Sequence, residues 1–327
     1  MIDVKDYIDG DKFENLILGM KDDNYIFSEN HLINDLFKKS SIDYPFVLIT
    51  HNTDGNITKY PTRLIDADFN LMSNNLIKWF GQNVDVVDNR VESIPIGLER
   101  DRWFPNINKK HKIFNKNLEN KKHKNLLYIN HNTGTFPKER IEPYNIFRKH
   151  KLIKNNKPTD EYCEMVFRQR EWLLKYGTTE ARAISILKTM LNKIKDKFNS
   201  KINYTNGFAH GFKLGDYYNY LQNSKIAIVP NGAVIPESFR YFEAFESNCI
   251  VITTYPKHLE QYNHWYYENS PAIFLKDWNQ LNEGLIKELL TESKLKEYEI
   301  KNKEYFDKNI STKSISNYML NIIKNKE

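Results

Sequence analysis

Cysteine is almost absent. Cys163 and Cys249 are the only two in the chain, and both fall in segments read as regular structure. So few thiols, so placed, build neither a disulfide framework nor a zinc site, which fits a reducing compartment. Long apolar runs are also missing. No stretch of about 18 residues is apolar throughout, so no membrane-spanning helix is predicted. The opening segment, MIDVKDYIDGDKFENL, is acidic and polar, unlike a signal peptide. The expectation is a cytoplasmic protein, and the bias toward Lys, Asn and Ile matches an AT-rich bacterial or viral source. The aromatic motifs of RNA readers are lacking, so no nucleic-acid partner is expected.

What is present suffices for real cores. The chain has 327 residues, 40% of them hydrophobic and 13% aromatic, unlike a disordered sequence. That length favours two domains of about 100–200 residues each. The net charge of +6 suits anionic ligands, although it is spread over many lysines. The densest run lies between Lys109 and Lys124. Charge runs mark solvated segments more often than sites, so 109–124 reads as a basic linker and a domain boundary. A polyanion-binding patch, or peripheral contact with a membrane, is the other reading of the same lysines.

The chain is organised around Ser224 to Thr254, SKIAIVPNGAVIPESFRYFEAFESNCIVITT. Lys225 to Val229 is a short branched apolar run, predicted to be a buried strand. Pro230-Asn231-Gly232 ends it with turn residues. Pro236 stands where a first helical residue would, and Cys249 to Thr253 is a second buried strand. The unit has the length of a βαβ crossover, about 30 residues.

A helix begun at Pro236 would carry the chemistry. Phe239, Phe242 and Phe245 fall on one face, suited to packing on a sheet. Glu237, Arg240 and Glu243 fall within about 120° on the other, with small Ala244 beside them. Helix N-termini after glycine-bearing loops favour anions, because free N–H groups and the dipole point outward. An Arg there adds a planar fork for phosphate, and a nearby carboxylate can take hydrogen bonds from ribose hydroxyls. The stretch therefore reads as a nucleotide-diphosphate site. An ordinary solvated face with an i,i+3 ion pair would look the same.

The pattern SK-I-A-I-V-P-x-G, then E-S-x-R-x-x-E-A, then C-I-V-I resembles the C-terminal half of exostosin-like glycosyltransferases, chiefly over residues 217–255. The resemblance implies the GT-B fold, an α/β arrangement of two Rossmann-like domains facing across a cleft, with terminal helices crossing back to the first. It implies that Gly232, Glu237, Ser238, Arg240 and Glu243 hold a nucleotide-diphosphate sugar. It also implies that a basic residue early in the second domain reaches the diphosphate. Arg140, after the predicted strand Asn125 to Asn130, matches that place; a surface arginine is the plainer reading. One departure is Asn248-Cys249-Ile250-Val251, where the family has Gly-Cys followed by proline. On this pattern the domains are 1–108 (acceptor), 109–124 (linker), 125–300 (donor) and 301–327 (terminal helices).

In the first half, Phe46 to Thr50 is a strong predicted strand ending in His51-Asn52-Thr53-Asp54-Gly55. Ligands of open α/β sheets bind beyond the carboxyl ends of strands. Asp54, or failing that His51, is therefore a candidate base for an acceptor hydroxyl. An Asp-Gly turn and a hydrogen-bonded structural histidine are the alternatives. Leu76 to Asn83 is predicted as a short helix and turn, and Val91 to Leu98 as a strand. Helices are expected over 281–290, 297–309 and 315–323, with a weak strand at Phe274-Leu275.

The reading is a glycosyltransferase, inverting and metal-independent, that takes a nucleotide-diphosphate sugar as substrate and a glycan or glycoconjugate as acceptor. No metal and no cofactor are expected. Asp66 and Asp68 form an Asp-x-Asp of the kind that holds a divalent cation in the metal-dependent fold, which keeps a metal-dependent transferase as one alternative. A non-catalytic polyanion binder using the 109–124 lysines is another.

Overall fold

The structure is a computed structural model. It describes residues 25–28, 44–51, 72, 74–97, 125–129, 137–149, 202–203, 221–232, 238–255 and 264–324. Asp54, Asp66, Asp68, Cys163, Glu237 and the 109–124 linker lie outside them.

The architecture is α/β, with two parallel sheets. The first has the order β1-β2-β3-β4, built from Tyr25–Ser28, Phe46–Thr50, Leu76–Gly81 and Val91–Ser93. Its strands are paired in parallel throughout, as in Leu48↔Trp79 and Trp79↔Val91. Strands buried on both faces read as unbroken apolar runs, and β2 is buried at all five positions. Phe46, Leu48, Trp79 and Val91 pack on one side; Val47, Ile49, Phe80 and Ile94 pack on the other.

The predicted helix over 76–83 is corrected by this sheet: LIKWFG is strand β3. Its side chains are wanted on both faces at once. A six-residue run between Asn75 and Gln82 is too short for its period to separate helix from strand. Asn83, with φ 62, then turns the chain in the left-handed region that Asn tolerates.

The second sheet has the order β6-β5-β7-β8-β9. Its strands are Asn125–Ile129 (β5), Ile202–Asn203 (β6), Ser224–Ile228 (β7), Ile250–Thr254 (β8) and Ile273–Leu275 (β9). Register runs Ile129↔Ile228 and Ile228↔Ile252, then Ile252↔Ile273. Helix α1 (Pro137–Arg140) and helix α2 (Glu142–Lys149) follow β5, and α3 (Phe239–Glu246) links β7 to β8. As the aromatic face predicts, Phe242 and Phe245 are buried against Tyr128, Ala227 and Val251, with Phe239 at the edge. The opposite face packs Ile226, Ile228, Ile250 and Ile252 against Ile146, Trp278, Ile286 and Leu295.

Beyond β8 come α4 (Trp265–Glu268), a 3-10 turn at Trp278–Gln280, α5 (Glu283–Leu289), α6 (Glu292–Tyr305), a π-helical turn at Phe306–Ile310 and α7 (Thr312–Lys324). Position 301, expected to open the terminal segment, falls inside α6. Helix α7 lays Ile315 and Met319 on the first sheet, in one cluster with Val47, Ile49 and Phe80. Trp265 donates from Nε1 to the Ser93 carbonyl at 3.1 Å and stacks on Tyr318 with ring centroids 4.3 Å apart. His264 donates from Nε2 to the Val84 carbonyl at 3.1 Å and accepts on Nδ1 from the Tyr266 hydroxyl at 2.8 Å. No helix among the described residues is long and apolar enough to cross a membrane.

Candidate functional site

Strand order locates the site. From β5 the chain leaves to β6 on one side, then returns to β7 on the other. Connections that depart in opposite directions open a crevice at the carboxyl ends of the two central strands, where ligands of such sheets bind. That crevice lies between β5 and β7. Helix α1 brings Glu139 and Arg140 to its β5 side, and Val229 to Gly232 form its β7 side.

Arg140 spans the gap. Its Nε donates to the Asn231 carbonyl at 2.9 Å, and the residue is only 7% exposed. A guanidinium this enclosed keeps its charge and presents N–H donors in a fixed fork. Gly232, next to Asn231, is buried. Two sequence-predicted donor residues, Arg140 and Gly232, are thus brought together at the carboxyl ends of two central strands.

Around them is a network that the sequence analysis missed. The Asn231 side-chain amide donates to Thr254 Oγ1 at 2.9 Å and to the Thr254 carbonyl at 3.3 Å. Thr254 Oγ1 in turn donates to Glu139 Oε1. The same carboxylate oxygen accepts from Trp278 Nε1 at 3.0 Å and, at a long 3.5 Å, from Asn231 Nδ2. Burial pushes the Glu139 carboxyl above its ordinary range; the Thr254 and Trp278 hydrogen bonds oppose this, Glu142 adds to it, and the Arg140 charge opposes it. One signal was available: Asn231, Thr254 and Trp278 each stand just past a predicted strand.

No family model matches the chain, and no curated protein matches it. Among solved structures, it is similar to the N-terminal domain of Candida albicans trehalose-6-phosphate phosphatase, at 13% identity and TM-score 0.48, covering 96% of this chain and 73% of that one. It is also similar to OtsA in its apo form, at 11% identity and TM-score 0.44, covering 91% of this chain and 72% of that one.

The helix after the Gly232 loop departs from expectation. Helix α3 begins at Phe239, with Ser238 as N-cap in an extended conformation, φ −142 and ψ 144. Of the predicted face, Arg240 and Glu243 lie on α3, while Glu237 lies outside the described residues. Pro236 is favoured at a first helical position, but Ser at the N-cap is favoured too, and the later start prevails. The Ser238 hydroxyl makes no cap bond to its own helix. Arg240 lies half-buried in the first turn. Glu243 is 4% exposed, and Ala244 is fully enclosed in the aromatic core. The small residue serves packing against the sheet rather than open space beside a ligand.

On the first sheet, His51 follows β2 directly and is 1% exposed. Its Nε2 donates to the Pro95 carbonyl at 3.2 Å.

Proposed function

We propose that the protein is a glycosyltransferase of GT-B type, which moves a sugar from a nucleotide-diphosphate sugar to a hydroxyl of a glycan or glycoconjugate. The observation that carries this reading is Arg140, enclosed at the crevice between β5 and β7 and held to the Asn231 carbonyl. The exostosin-like pattern over 217–255 supports it, because that pattern runs through the β7 side of the same crevice.

In the proposed reaction a base, Asp54 or else His51, takes the proton of the acceptor hydroxyl. The acceptor oxygen attacks the anomeric carbon from the face opposite the diphosphate, and configuration inverts. The bond from the anomeric carbon to the diphosphate oxygen breaks, and the nucleoside diphosphate leaves. Arg140 and Arg240, with the N-terminus of α3, stabilise the charge that develops on it. No metal is assigned a part in this scheme.

A thermal-shift panel of nucleoside diphosphates, with and without chelator, tests the reading. A ligand at a hundred times its Kd adds about 2.7 kcal/mol of stability. The expected result is a shift with one diphosphate that survives chelator. A shift that needs a divalent cation transfers the assignment to Asp66 and Asp68, and no shift with any diphosphate removes it.

A further inference from the structure

We propose that Glu139 is a positioning residue for the diphosphate site. Its carboxylate gathers the ends of β7, β8 and the turn after β9, and so fixes the Asn231 carbonyl that orients Arg140. This inference rests on the reading of the crevice as a nucleotide-diphosphate site.

The geometry is a closed ring. Glu139 Oε1 takes the Thr254 hydroxyl proton, and Thr254 Oγ1 accepts from the Asn231 amide at 2.9 Å. The Asn231 backbone carbonyl accepts from Arg140 Nε at 2.9 Å, and Arg140 is the chain neighbour of Glu139. Trp278, 1% exposed, pins the same oxygen from outside the ring. An ionised carboxylate only accepts, so it suits a place where hydroxyl, indole and amide donors converge. The carbonyl that holds Arg140 belongs to the residue whose side chain this ring fixes. Loosening the ring frees the Asn231 peptide to rotate, and the guanidinium loses its fixed direction. A fork displaced by even about 1 Å loses much of its hold on a ligand.

The test measures three ligands by calorimetry on the full chain: the tightest binder among UDP, GDP, ADP, TDP and CDP, its nucleoside, and pyrophosphate. Glu139→Ala is expected to weaken the diphosphate and pyrophosphate by about tenfold while nucleoside affinity stays within about twofold. Glu139→Gln, which keeps an accepting oxygen, is expected to recover most of the loss. Unchanged diphosphate affinity in Glu139→Ala overturns the proposal, as does an equal loss for the nucleoside, which would mark a general packing role. If Glu139→Ala does not fold, Thr254→Val decides: with nearly the same shape it removes the hydroxyl that donates to Glu139 and accepts from Asn231, and wild-type diphosphate affinity in that variant overturns the proposal. A wild-type protein that binds no diphosphate removes the reading of the site itself, and the positioning role with it; failure confined to the variants removes only the role of Glu139.

Discussion

Trp278 Nε1 donates to Glu139 Oε1 across 3.0 Å, although the two residues are 139 positions apart in the chain. The bond ties the turn after the edge strand β9 to the helix after the central strand β5. It makes a carboxyl group part of the seam at the top of the second sheet, and a titration of stability follows.

Burial lifts the folded-state pKa of Glu139 above the ordinary value of 4.5, while the unfolded chain titrates near that ordinary value. The folded protein thus binds this proton more tightly. The contribution to stability is fully present below about 4.5 and is lost as pH rises through the lifted value. Glu139→Gln removes this dependence. Urea unfolding from about pH 4 to about pH 7 is expected to show Glu139→Gln gaining on wild type as pH rises. A constant difference between the two would contradict the assignment.

Asn248 holds φ 53, a left-handed conformation, and its Oδ1 accepts from the Asn302 amide at 3.1 Å. Ala there adopts that φ at a cost of about 1–2 kcal/mol and loses the bond, worth about 1 kcal/mol. Asn248→Ala is expected to lower unfolding free energy by about 2–3 kcal/mol. Asn248→Gly, free of the backbone term, should lose only about 1 kcal/mol. Chemical denaturation of both variants checks the order.

Trp265 joins α4 to the first sheet through Ser93 and to α7 through Tyr318. Trp265→Phe keeps an aromatic ring and removes the indole donor, with an expected loss of about 1 kcal/mol. Trp265→Ala also opens a cavity, with an expected loss of about 3–5 kcal/mol. Equal stability of the two variants would show that the ring contributes nothing beyond its hydrogen bond.

Asp54 and His51 separate by what each substitution changes. Loss of a general base lowers turnover by about 10²–10⁴-fold. Asp54→Asn is expected to do so with donor affinity unchanged. His51 is enclosed and bonded to Pro95, so His51→Ala is expected to lower Tm as well as turnover. Turnover of Asp54→Asn within a few-fold of wild type removes Asp54 as the base.

Much of the second sheet was legible from residue order. SKIAI and IVITT are branched, apolar and bounded by turn residues, and they form β7 and β8. The aromatic face of α3 followed from spacing alone. The departure from a family glycine at Asn248 put the local turn in question, and the structure keeps a left-handed residue there, φ 53, because Asn tolerates that region as glycine does. Three departures have physical causes. LIKWFG lacks the length to show its period, so β3 read as a helix. The site network left only the faint signal of polar residues just past strands, because its partners meet only through the sheet: Glu139, Asn231, Thr254 and Trp278 belong to four separate segments. The start of α3 was a competition between two favourable N-terminal residues, and sequence pattern alone does not rank Pro236 against Ser238.

The central claim is that the crevice between β5 and β7 binds a diphosphate through Arg140. Calorimetric titration of the tightest-binding nucleoside diphosphate into wild type, Arg140→Ala and Arg140→Lys tests it most directly. Each charge-assisted hydrogen bond to phosphate contributes about 1.5–3 kcal/mol. Arg140→Ala is therefore expected to weaken binding by about 10- to 100-fold, and Lys, which lacks the fork and the Nε bond to Asn231, should not restore it. Arg140→Ala that binds the diphosphate as tightly as wild type would contradict the account.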